Sequence, residues 1–312
     1  MAISQSAIGG KFATIKHYSL EQVLQITSQT TDEAMEKAYL RAGAEYTRQL
    51  AQERIRNRPW MDTVRNHVRE IIKESHAERI LEMGPGVEDI LYQCVMDSDG
   101  GKLQWTVLDI IPEVVATIQQ KFGGRGYYAA ILGNARSISL QVPGLYDLFI
   151  GMDTLDSVVA FSGIAGEIKS KGIPWAVHIQ DNIPAIEVIA SLIKTDTRFR
   201  EVKTISLVTL GDNLSFLNPL GETSWTHIAV PTGGGLLWMQ TNEYLHTRIA
   251  EEFSKAGFHR FDSGFKPYPN GDGGDAFLTV NQMLRLLSNR TAQADGLPTE
   301  CTYHYLIMRL AR

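Results

Sequence analysis

Arg79-Ile80-Leu81-Glu82-Met83-Gly84-Pro85-Gly86 is the stretch that decides how this chain is read. Residues 80–83 read as a buried strand that runs straight into a glycine turn, and a helical pattern follows from Val87 through Tyr92. Gly84 and Gly86 carry no Cβ, so the chain can turn sharply there and a ligand can approach the backbone. Glu82 stands at the carboxyl end of the strand, the end that faces the ligand crevice of an open parallel sheet. Strand, glycine turn and helix N-terminus together make a nucleotide-sized site.

Downstream the chain alternates strand and helix. Strands are expected over 103–109, 127–132, 146–152 and 175–180, with helices over 88–95, 112–121 and around 165–170. That alternation implies right-handed crossovers and a mostly parallel sheet. Each strand ends near a polar residue: Asp109, Asn134, Asp153, and then Asp181 and Asn182. A carboxylate at Asp109 can accept the ribose hydroxyl protons of a nucleoside, or it can cap the helix that Pro112 opens. The Asn134 amide can accept from the exocyclic amine of adenine and donate to a ring nitrogen, or it can be a turn residue.

Working outward, 312 residues hold one large domain, or a core domain with an accessory one. The net charge of −5 argues against a nucleic-acid partner, whose phosphates need a basic face. Two distant cysteines, Cys94 and Cys301, make no disulfide framework and favour a reducing compartment. No apolar run reaches the roughly 20 residues of a membrane helix, and the first residues lack the order of a signal peptide. A soluble cytoplasmic protein is expected. Residues 1–76 read as a helical cap: one start at Ser19, a longer helix from Thr30 to about residue 55 that Pro59 ends, and a third over 61–75. Tyr39 and Tyr46 lie on the apolar stripe of the second helix, either as core or as the inner face of a lid.

The ligand is narrowed by charge. Asp89 stands where a dinucleotide turn has its third glycine, and Glu88-Asp89 would put two negative charges against a pyrophosphate, which counts against NAD. S-adenosylmethionine, with its sulfonium and amine, suits Glu82, Asp109 and Asp153. Here the residues carry a resemblance. Residues 80–86 resemble motif I of class I S-adenosylmethionine-dependent methyltransferases, and Asp109, Asn134-Ala135 and Asp153 follow in the family's order. Residues 244–258, ending Ala256-Gly257-Phe258, resemble the family's last helix, and 302–310 its final antiparallel strand. The departure is Glu88, where many members have a glycine.

The resemblance implies a Rossmann-like seven-stranded, mostly parallel sheet with helices on both faces. The cofactor-binding set is then Glu82, Gly84, Pro85, Gly86, Asp109, Ile110, Asn134, Ala135 and Asp153. The methyltransferase-like domain spans 77–312, with insertions at 186–242 and 264–300. These insertions are read as substrate-binding or lid elements, or else as decorative loops or oligomer contacts; a homodimer is one oligomeric state open to the chain. Strand-like runs at 206–210 and 227–230 fall inside the first.

His178 and Asp181 are the candidate catalytic residues, and Asn182, Tyr39 and Tyr46 the candidate substrate or lid residues. The eight histidines are dispersed in sequence, and no metal site is expected. Three functions are compatible with these residues. The first is in-line methyl transfer to a small molecule. The second is reaction of the cofactor's aminocarboxypropyl arm with release of methylthioadenosine, as in nicotianamine-synthase-like and azetidine-2-carboxylate-synthase-like enzymes. The third is a non-catalytic relative that binds a partner.

Overall fold

The structure is a computed structural model. It describes residues 2–8, 11–19, 58–93, 103–155, 161–180, 204–210, 227–231, 237–267 and 302–311, with single helical positions between 21 and 48. Its centre is a seven-stranded sheet of β3 (Arg79–Met83), β4 (Gln104–Asp109), β5 (Tyr128–Leu132), β6 (Leu148–Met152), β7 (Trp175–Gln180), β10 (Phe258–Pro267) and β11 (Thr302–Leu310). The spatial order is β10-β11-β7-β6-β3-β4-β5. β3 pairs in parallel with both β4 and β6. β11 is antiparallel to β7 and to β10. A seven-stranded, mostly parallel sheet with a final antiparallel strand is what the motif reading implies.

The central strands are rich in apolar residues because both faces are covered. On one face α1 (Arg58–Ser75) and α2 (Pro112–Phe122) bury Val64, Val68, Ile71, Val114 and Ile118 against Ile80, Val107 and Ile150. On the other, α3 (Ile138–Gln141), α4 (Phe161–Ser170) and α5 (Leu237–Lys255) bury Ile138, Ile164, Ile168, Leu245 and Phe253 against Leu81, Phe149 and Leu306. Asp147 fastens the start of β3 to that of β6. Its Oδ2 accepts from the backbone N–H groups of Glu78 and Arg79, and its Oδ1 pairs with Arg79 at 2.8 Å.

The structure corrects several expectations. Residues 2–19, placed in a helical cap, instead form an antiparallel hairpin of β1 (Ala2–Ile8) and β2 (Lys11–Ser19). The hairpin joins β8 (Thr204–Leu210) and β9 (His227–Pro231) in a second, four-stranded sheet. The first insertion therefore supplies two strands, where the sequence reads as strand-like. Alternation and the Gly9-Gly10 pair are the sequence signals of this hairpin. Described positions from Glu21 to Arg48 are helical, as expected. Pro59 does not end a helix but lies in the first turn of α1, where its missing N–H is harmless. Residues 264–267 belong to β10 rather than to the second insertion.

Phe149, in the middle of the sheet, is 0% exposed. Phe149→Ala leaves a cavity at that point and should cost about 3–5 kcal/mol, read as a lowered midpoint in urea melts. A loss under about 1 kcal/mol would mean that this face is not the packed layer described.

Candidate functional site

The crevice follows from the strand order. From β3 the chain runs outward through β4 to β5, then returns across β3 to β6 and β7. The turns leaving β3 and β6 thus diverge to opposite sides, and ligands of open α/β sheets bind outside the carboxyl ends at such a switch point. Gly84, Pro85 and Gly86 leave β3 here, and Asp153 leaves β6. Gly84 and Gly86 both take left-handed backbone, at φ +66° and +67°. The Gly84 N–H donates to Leu108 O, so the turn stays tied to β4. A Cβ on Gly84 would sit 2.4 Å from Thr154 Cγ2, so the turn also needs glycine for space. Asp153 has φ +49°, and its N–H donates to Ile179 O at 2.9 Å. Pro85 is buried and Ile110 half-buried against the α2 side of the core.

Asp109 ends β4 as expected. Its Oδ1 accepts from the Ile111 N–H at 2.9 Å, so it braces the turn into α2 while remaining at the strand end. Burial pushes its carboxyl up to about 6, partly offset by the Ile111 and Ile110 backbone. Its carboxyl oxygens can accept hydrogen bonds from hydroxyls.

Asn134 is committed within the protein. Its Oδ1 accepts from Arg136 N and caps the short 3-10 turn over Ala135–Ser137. Its Nδ2 donates to Glu36 Oε2 at 2.9 Å, and Arg136 pairs with the same oxygen at 3.0 Å. The turn role is thus visible in the geometry, and Glu36 is a crevice-side partner that sequence reasoning did not single out. Ala135 is buried on the α3 side.

Two acidic residues differ from expectation. Glu82 does not present its carboxylate at the crevice: it is buried, and its Oε2 accepts from Trp105 Nε1 at 2.8 Å. Asp89 does not face a phosphate position. It turns inward at φ +40° and is 0% exposed. Its Oδ1 accepts from Tyr92 N, so it starts the helix at Ile90 rather than riding on it, and its Oδ2 accepts from Tyr128 Oη. Glu88 is neutralised by an ion pair with Lys121. The charge argument against a pyrophosphate at this turn therefore fails, because neither acid projects freely into the crevice.

The histidines, dispersed in sequence, do meet in space. His178 of β7 lies 5.2 Å, ring centre to ring centre, from His246 of α5, and His246 lies 5.5 Å from His304 of β11. All three are buried, His178 at 2% exposure. Burial holds His178 well below the ordinary imidazole value, with His246 adding to the effect. Burial likewise lowers His246 to about 3 and His304 to about 2. His178 thus sits under α5 as a neutral imidazole. Among the described residues no group of three or more His, Cys, Asp and Glu is arranged to hold a metal ion, and no described helix is long and apolar enough to cross a membrane. Asp181, Asn182, Tyr39 and Tyr46 lie outside the described residues.

No protein-family model matches the chain, and no curated protein is similar to it. Solved structures similar to it include an S-adenosylmethionine-dependent methyltransferase from Clostridium acetobutylicum ATCC 824, at a TM-score of 0.43 and 9% identity, over 82% of this chain and 92% of that one. Another is magnesium protoporphyrin IX methyltransferase from Synechocystis PCC 6803 with bound SAH, at a TM-score of 0.42 and 13% identity, over 81% and 84%. The methyltransferase domain of bacterial CtHen1 gives a TM-score of 0.42 and 12% identity, over 79% and 97%.

The histidine cluster sets a pH dependence. Each imidazole binds its proton more weakly folded than unfolded, so stability is complete above the unfolded value of 6.5 and falls as pH drops below it. Each such proton is worth about 1.4 kcal/mol per pH unit. Burial raises Asp89, and raises Asp109 to about 6, and both act in the opposite sense at low pH. Urea melts between neutral pH and about pH 5 should show a net loss, and His246→Leu should flatten it by up to about 1.4 kcal/mol per pH unit. An unchanged slope in that variant would remove His246 from the account.

Proposed function

We propose that this chain is an S-adenosylmethionine-dependent transferase that moves a methyl group onto a small-molecule acceptor. The observation that carries the reading is the left-handed Gly84–Gly86 turn at the switch point, one strand from the Asp109 carboxylate. Two glycines in the turn admit a ligand to the backbone, and a carboxyl at the neighbouring strand end suits ribose hydroxyls. The motif that ends in Gly86 and the order of Asp109, Asn134 and Asp153 support the same cofactor.

S-adenosylmethionine would supply an activated methyl, which passes in line to the acceptor while the sulfur keeps the bonding pair; S-adenosylhomocysteine remains and the acceptor sheds a proton if it carried one. The chain's own part is alignment, which can lower the barrier by about 7–11 kcal/mol. Gly84, Pro85 and Gly86 offer backbone, Asp109 holds the sugar, and Asp153 reaches the same crevice from β6. Ile110 and Ala135 line the base side beside Asn134. A net negative chain suits a small acceptor better than a nucleic acid.

Calorimetry with S-adenosylmethionine tests this. Asp109→Ala and Gly86→Val should each weaken binding at least tenfold, about 1.4 kcal/mol. If both bind like wild type, the cofactor assignment is wrong. Mass spectrometry of the incubated protein then separates chemistries: S-adenosylhomocysteine on adding acceptors fits methyl transfer, whereas methylthioadenosine formed without one would replace it by reaction of the aminocarboxypropyl arm.

A further inference from the structure

Beneath the glycine turn lies a polar group that the cofactor reading does not use. Glu82 and Asp89 are both buried and hydrogen-bond to each other through their side chains. A carboxylate has no hydrogen to donate, so two carboxyl groups joined this way hold a proton between them. Its place follows from their other partners. Both Asp89 oxygens already accept, one from Tyr92 N at 3.0 Å and the other from Tyr128 Oη. The negative charge is therefore best stabilised on Asp89, and Glu82, whose Oε2 accepts from Trp105 Nε1, carries the hydrogen on its remaining oxygen.

We propose that Glu82 is a protonated positioning residue, and that the proton it shares with Asp89 sets the geometry of the Gly84–Gly86 turn and makes cofactor binding depend on pH. Glu82 lies two residues before Gly84, and Asp89 three residues after Gly86, so the hydrogen bond closes the turn from below like a clasp. From outside, Lys121 Nζ donates to Val87 O and pairs with Glu88. Among the described residues, the other titratable and charged groups around the pair are these. Tyr92 follows on the same segment, Tyr128 comes from β5, and Arg125 lies over the Tyr92 ring at 6.0 Å. Lys121 is committed to Glu88. Loss of the proton would leave two carboxylates side by side out of water, which repel strongly and force the clasp open. The inference rests on the cofactor reading above.

Glu82→Gln is the test, because an amide keeps the size, donates permanently to Asp89 and still accepts from Trp105. Calorimetry with S-adenosylmethionine from about pH 6 to about pH 10 should show wild-type affinity falling up to tenfold per pH unit once the proton is lost, since binding then takes up one proton. Glu82→Gln should bind like wild type at the low end and lack that fall. The cofactor's own amine titrates in both proteins, so their difference isolates the pair. Glu82→Ala should lose at least tenfold throughout.

Infrared difference spectra, which need no cofactor, should show a protonated carboxyl band at neutral pH in wild type that Glu82→Gln removes. The inference is overturned if that band is absent, if Glu82→Gln binds as poorly as Glu82→Ala, or if the two pH profiles coincide. Failure of wild type to bind at any pH overturns the cofactor reading and the pH-dependent binding with it, and the infrared band then reports on the shared proton separately.

Discussion

Parallel pairing of β3 with both β4 and β6 is the constraint on which the crevice depends. A strand paired on both edges and covered on both faces has no freedom to shift register, because a slip by one residue would exchange its faces. Ile80 and Glu82 therefore look toward α1 and α2, and Leu81 and Met83 toward the α3–α5 side. With β3 fixed, the turn after it must leave toward β4 while the turn after β6 leaves toward β7. The gap between them is a consequence of chain order. The glycines at 84 and 86 let the backbone follow that departure without a side chain filling the gap.

The two faces of the sheet handle buried polarity in opposite ways. On the α1–α2 face, Glu82, Asp89, Trp105 and Tyr128 satisfy one another, so that two carboxyl groups are held in the interior by donors and one proton. On the α5 face, the buried Nε2 of His246 has no hydrogen-bonding partner among the described residues. Leaving such a group unpaired costs about 1–3 kcal/mol, so the apolar contacts of Leu245, Ile249 and Leu306 around the cluster must offset it. The first arrangement rigidifies the turn beside it; the second makes acid a destabilising agent by way of neutral imidazoles.

What the sequence made legible was decided by how local the cause was. β7 is found over 175–180 because an apolar run closed by Gln180 needs no outside information. The Gly84–Gly86 turn is legible for the same reason. Asp89 was misplaced because helical periodicity assigns a residue to a face only once the helix has begun, and here the chain reverses sign at φ +40° before it begins. The hairpin over 2–19 escaped because its partner strand lies at 204–210, and only pairing at that separation gives its alternating pattern an address. The histidine cluster escaped likewise. The pairing of Gln180 with His304 and of His178 with Leu306 brings two strands far apart in sequence side by side, and α5 then lays His246 across them.

Asn134 shows how a local and a distant cause divide one residue. Its Oδ1 is used by the 3-10 turn that follows, a contact two residues long that the turn reading of the sequence contains. Its Nδ2 is used by Glu36, 98 residues away, which no local pattern could supply. The Glu36–Arg136 pair beside it keeps about a third of each side chain exposed. Pairs of that exposure contribute about 0–1 kcal/mol. The amide face of Asn134 is therefore held by contacts that water can replace cheaply, whereas Asp109, braced by Ile111 N and buried, is held in place before any ligand arrives. Of these two polar strand ends, Asp109 is fixed by the backbone and by burial, and Asn134 by contacts partly open to water.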